Sequence, residues 1–145
     1  MIPMKSNLTP LLFTALGALV LLAGCETSTS ERHPRTTRTM VLSVDRPSPD
    51  VEMELVSAVR VVLPGPEAGT GLVWEIASNN NKVLDQMGPM KAVPASGETG
   101  SKPGTEVTFY ALKPGKSILR FFLLDPSLKE AVPTAKCQLT VRVID

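Results

Sequence analysis

The chain has 145 residues, with 15 Lys and Arg set against 14 Asp and Glu and a single His. That near-neutral balance contains no basic stripe able to neutralise a row of phosphates, which excludes nucleic acid as an expected partner. With 13 Pro, 10 Gly and 4% aromatic residues, the composition suits many turns between short strands and does not suit long helices.

The first two dozen residues read as an address label. Lys5 supplies a short positive region, and Leu8 to Leu22 is apolar apart from Thr9, Pro10, Thr14 and Gly17, too short for a span of about 20 residues. The run ends in Leu22-Ala23-Gly24-Cys25, which resembles the bacterial lipobox: a branched apolar residue, two small residues, then the cysteine that takes the lipid. Residues 1–24 are therefore expected to be a lipoprotein signal peptide, with Cys25 lipidated. A plain secretory signal or an anchor helix ending in cysteine is the alternative, but a polar tract starts straight after Cys25, as lipidation requires.

Acyl chains contribute about 0.8 kcal/mol per buried methylene, so Cys25 alone would hold the protein peripherally on a membrane. That places it in the bacterial cell envelope. Glu26 stands where Asp is associated with inner-membrane retention, which points to the outer membrane, facing the periplasm, in a Gram-negative cell. From Glu26 to Thr39 there is no apolar residue, so residues 25–39 are expected to be a flexible tether.

Residues 40–145 carry the domain, of a size that holds its core by packing alone. Short alternating runs bounded by Pro, Gly, Asn and Ser predict an all-β sandwich of seven or eight strands. The candidate strands are Thr39 to Val44, Val51 to Val56, Val59 to Leu63, Leu72 to Ala77, Lys82 to Met87, Glu106 to Leu112, Ser117 to Leu124 and Lys136 to Ile144. Pro and Gly in Lys113-Pro114-Gly115-Lys116 predict a type II turn that joins the sixth and seventh of these as a hairpin. Asn79-Asn80-Asn81 predicts a second turn through residues that tolerate positive φ. Longer connections remain at Pro64 to Gly71, Met90 to Thr105 and Asp125 to Ala135, and loops on a rigid scaffold are where binding resides.

No catalytic set emerges. His33 lies in the tether, so neither a Ser-His-Asp nor a Cys-His arrangement has a positioned base. One His and one core Cys cannot make a zinc site, and nothing suggests another metal, a cofactor or a small-molecule substrate. Glu52 and Glu54 would share one face of a strand, which reads as a solvated face rather than a working carboxylate pair. Gly69-Thr70-Gly71 lacks the lysine of a phosphate loop and reads as a tight turn. Cys137 shares a strand face with Leu139, Val141 and Val143, the pattern of a buried thiol more than a reactive one.

From Leu63-Pro64 through Thr70-Gly71 to Trp74 the chain resembles chagasin-family inhibitors of papain-like cysteine proteases, with one extra residue in the loop. The likeness continues through Gly104-Thr105-Glu106 and Lys113-Pro114-Gly115 to Asp125-Pro126, over roughly residues 50–145. Ala68-Gly69 replaces that family's Pro-Thr, Ser101-Lys102-Pro103-Gly104 its Gly-rich loop, and Asp125-Pro126-Ser127 its Arg-Pro-Trp. The resemblance implies an immunoglobulin-like β-sandwich whose three loops plug a protease cleft without covalent chemistry. The contact residues it implies are Ala68, Gly69, Thr70, Gly71, Gly104, Asp125, Pro126 and Ser127, with Trp74 in the core. The alternative is an envelope structural or adaptor module on the same fold.

Overall fold

A computed structural model describes residues 32–44, 46–97 and 102–145. Cys25, the expected signal peptide 1–24 and most of the expected tether lie outside the described residues. Within them, period-two alternation produces eight strands: β1 (Thr37–Val41), β2 (Asp50–Glu54), β3 (Ala58–Pro64), β4 (Val73–Ser78), β5 (Leu84–Val93), β6 (Gly104–Ala111), β7 (Gly115–Leu124) and β8 (Ala135–Ile144). In β8 the alternation is cleanest: Cys137, Leu139, Val141 and Val143 are buried, and the residues between them face outward. The same rule buries Val51 and Met53 of β2 while Glu52 and Glu54 point to solvent.

The strands form two four-stranded sheets, β1-β3-β6-β5 and β2-β8-β7-β4. The β1–β3 and β2–β8 pairs are parallel and the other four antiparallel. Between the layers, Phe109 of β6 meets Phe121 of β7 edge to face, ring centroids 6.4 Å apart. Val59, Val61, Leu63, Leu84 and Val107 from one sheet pack against Leu119, Leu139, Val141 and Trp74 from the other. The one polar residue among the largest fully buried side chains, Ser117, donates to Asn79 Oδ1 at 3.1 Å and accepts from the Asn80 N–H at 3.0 Å. Its desolvation is thereby met.

Four expectations need correction. The hairpin expected across Lys113-Pro114-Gly115-Lys116 does not form, because β6 and β7 belong to different sheets. That turn carries the chain from one layer to the other, and Gly115 is needed there because a Cβ would sit 2.8 Å from Val83 Cγ2. The Asn79-Asn80-Asn81 turn also crosses layers, and without positive φ. It works instead through hydrogen bonds: Asn80 Oδ1 accepts from the Lys82 N–H at 3.2 Å, and the Asn80 carbonyl from Val83 and Leu84, both at 2.9 Å.

The third correction concerns the tether, whose expected end at Thr39 falls inside β1. Thr and Arg suit an exposed edge strand, so the absence of apolar residues did not mean absence of structure. Even Arg35, before that strand, donates its N–H to the Val56 carbonyl at 2.8 Å. Fourth, β5 continues past Met87 to Val93, shortening the loop expected from Met90. Gly88 (φ 76°) and Pro89 form an irregularity in an edge strand and do not end it.

Candidate functional site

Register decides which connections share an end of the sandwich. In one sheet Pro64 and Val93 both align with Gly104. In the other, Val73 aligns with Leu124 and Leu123 with Ala135. Trp74 joins the two layers at this end, its Nε1–H donating to the Pro64 carbonyl at 2.7 Å. Loops 65–72, 94–103 and 125–134 therefore emerge at one pole. The chain joins the domain at the other: Thr37 pairs with Ala58 there, and Arg32 bonds Asp85 at 2.7 Å.

Two of these loops are braced locally. In loop 65–72, the Thr70 hydroxyl donates to the Glu67 carbonyl at 2.9 Å, and Gly69 (φ 82°) and Gly71 (φ 70°) make the reversals on either side. Ala68, Gly69, Thr70 and Gly71 are all exposed at its tip. The Gly65 N–H donates to the Pro103 carbonyl at 2.9 Å, tying this loop to the base of loop 94–103. In loop 125–134, Asp125 Oδ1 accepts from the Ser127 hydroxyl at 2.7 Å and from its N–H at 2.9 Å. These two bonds hold the Asp125 carboxyl below the ordinary aspartate range, so it is charged at neutral pH.

The expected contact residues do not all lie together on the surface. Ala68 to Gly71 and Pro126 with Ser127 sit on two exposed tips. Gly104 is instead a strand residue, half-buried at the start of β6, where a Cβ would meet the Leu63 carbonyl at 2.7 Å. Its place at that strand start supports the loops through this close approach. Trp74 and Cys137 are 7% and 5% exposed, and burial pushes the Cys137 thiol pKa up, away from the reactive thiolate.

Two residues missed in the sequence stand out at this pole: Leu128, 57% exposed, and Val132, 83% exposed, both on loop 125–134. Apolar side chains at a loop tip, outside any alternating run, were the available signal. Behind the tips lies an apolar recess of about 600 Å³ lined by Leu72, Trp74, Met90, Val93, Pro94 and Pro103. Among the described residues, no three His, Cys, Asp or Glu side chains come together as a metal set.

No protein-family model and no curated relative matches the sequence. Among solved structures, the fold is similar to that of the cysteine protease inhibitor EhICP2 from Entamoeba histolytica, with a TM-score of 0.57 at 14% identity over 77% of this chain and 99% of that one. It is also similar to amebosin, with a TM-score of 0.53 at 18% identity and the same 77% and 99% coverage. PbICP-C, solved in complex with falcipain-2, overlaps at a TM-score of 0.47 and 14% identity. The two four-stranded layers and the fold similarity to EhICP2 make this domain an immunoglobulin-like β-sandwich with a chagasin-like fold.

Proposed function

We propose that the domain inhibits papain-like cysteine proteases by occlusion, the three-loop pole filling the cleft with no bond made or broken. The observation that carries this reading is that three loops leave the strands at one end of the two-layer body, two of them braced by their own hydrogen bonds. The fold shared with EhICP2, itself a cysteine protease inhibitor, supports it. Thr70 and Gly71 would enter the cleft, with Leu128 and Val132 covering its flank. Affinity then comes from preorganisation, since loops already held by their own hydrogen bonds lose little freedom on binding.

The test is a titration of the purified domain, residues 32–145, against papain and related proteases, with residual peptidase activity as the readout. Two carboxylates introduced into an interface closed to water would have to be desolvated without partners, so Leu128→Asp with Val132→Asp should weaken inhibition by roughly tenfold or more. Absence of inhibition at micromolar concentration across the panel would sink the reading.

The same proposal holds the protein in the cell envelope by lipid on Cys25, on the periplasmic face of the outer membrane in a Gram-negative host. Cys25→Ser should move the protein from the membrane to the soluble fraction of the expressing bacterium. A variant still sedimenting with membranes after a high-salt wash would rule out the anchor.

A further inference from the structure

Strand β8 is paired by β7 from Ala135 to Val143 on one side, but on the other side only from Thr140 onward, where β2 begins. The Thr140 N–H donates to the Pro49 carbonyl at 3.0 Å, which fixes the side to which that residue's backbone groups point. The two-residue repeat of a strand directs the N–H and C=O groups of Gln138 and Lys136 to that same side. Among the described residues, no strand pairing or loop hydrogen bond engages those groups.

The connection between β1 and β2 runs alongside this edge, with no backbone hydrogen bond to it before Pro49 among the described residues. It leaves a groove of about 420 Å³ lined by Ser43, Arg46, Ser48, Arg120, Phe122 and Lys136, with no carboxylate in its walls. Arg120 is held in place by donating from Nε to Gln138 Oε1 at 3.1 Å, and Lys136 Nζ lies 5.4 Å from the centre of the Phe122 ring. None of these three cations has an ion-pair partner among the described residues. Glu75, in register with Phe122, belongs to β4 on the far side of β7. Asp45, beside Arg46 in the chain, lies outside the described residues.

We propose that this edge docks a short, extended, acidic segment of a partner protein, which adds to β8 as a strand ahead of β2. An open strand edge presents donors and acceptors alternately, and a peptide backbone meets both at the right spacing. A phosphate, free or on a lipid, only accepts, so it leaves the carbonyls of Lys136 and Gln138 unmet. Arg46, Arg120 and Lys136 select carboxylates on the incoming strand, since like charges there would be repelled. The uncovered stretch of β8, from Ala135 to Leu139, is roughly 16 Å of strand, which sets the length of the segment. This surface is separate from the three loop tips, and its test is independent of protease inhibition.

The experiment is an NMR titration of ¹⁵N-labelled residues 32–145, a unit that contains its whole core, with a capped Glu-Val-Glu-Val-Glu peptide. The expected result is a set of shifts centred on Ser43, Arg46, Lys136 and Gln138, with amide exchange slowed at Lys136 and Gln138. Arg120→Glu and, separately, Lys136→Glu should each weaken binding about tenfold while the rest of the spectrum stays folded. The same peptide N-methylated at its central amide keeps its charge and should also lose about tenfold. Equal binding by the methylated peptide, the same shifts from inorganic phosphate, or scattered shifts with no focus on β8 would each overturn the proposal.

Discussion

Phe121→Ala is expected to remove about 3–5 kcal/mol of stability, the range for deleting a fully buried aromatic ring. Phe121 is 0% exposed, and its neighbours come from every direction: Ile76 on β4 and Cys137 on β8 flank it in its own sheet, and Phe109 meets it from the other. The ring is thus the point at which the two layers are keyed together. A β-sandwich has little means of closing the void, because strand spacing is fixed by ladders of backbone hydrogen bonds. A domain of this size has a total stability of about 5–15 kcal/mol, so the variant should be partly unfolded at moderate urea concentrations. Urea titration followed by circular dichroism measures the loss, with Phe121→Leu as a milder reference. A drop below about 1 kcal/mol would mean that the layers are held elsewhere.

Gly65→Ala is the second large effect, and it separates close approach from backbone freedom as reasons for glycine at the loop pole. A Cβ at Gly65 would stand 2.4 Å from the Pro103 carbonyl oxygen, so a backbone segment must move. Moving it breaks the Gly65–Pro103 hydrogen bond and disturbs Pro64, the acceptor for Trp74. Overpacking of this kind costs about 1–3 kcal/mol, or roughly 4–8 °C in Tm per kcal/mol for a domain this small. Gly69→Ala is the contrast: nothing lies within 4 Å of its Cβ, and only its φ of 82° opposes a side chain. That strain is on the order of 1 kcal/mol. Thermal unfolding read from the emission of Trp74, the single tryptophan, should therefore rank Gly65→Ala as the more damaging. Equal losses would contradict the close packing between loops 65–72 and 94–103.

How much of this was readable beforehand depends on the range of the interaction concerned. Alternation in Lys136 to Ile144 and in Val59 to Leu63 is a local signal, and all eight strands were found from such signals, with ends displaced by a few residues. Pairing is not local. Pro114-Gly115 and Asn79 to Asn81 mark reversals correctly, yet a reversal within a sheet and one between sheets use the same residue types. The true hairpins, β5–β6 and β7–β8, are instead the ones closed by long loops. The family resemblance supplied the layer arrangement that turn chemistry could not. It also drew attention to Asp125-Pro126-Ser127 by position and not to the exposed apolar Leu128 and Val132 on the same loop. The packing reason for Gly104 was not legible either: a glycine required by the nearness of Leu63 reads, in one dimension, like any glycine in a loop.

The pinning of Arg32 has a directional consequence. Its guanidinium bonds Asp85 and lies 5.8 Å from the centre of the Tyr110 ring, clamping the polypeptide to the outer face of a sheet at the end remote from the loop tips. The first described residues are thereby kept off the loop pole, which leaves its tips clear of this stretch of backbone.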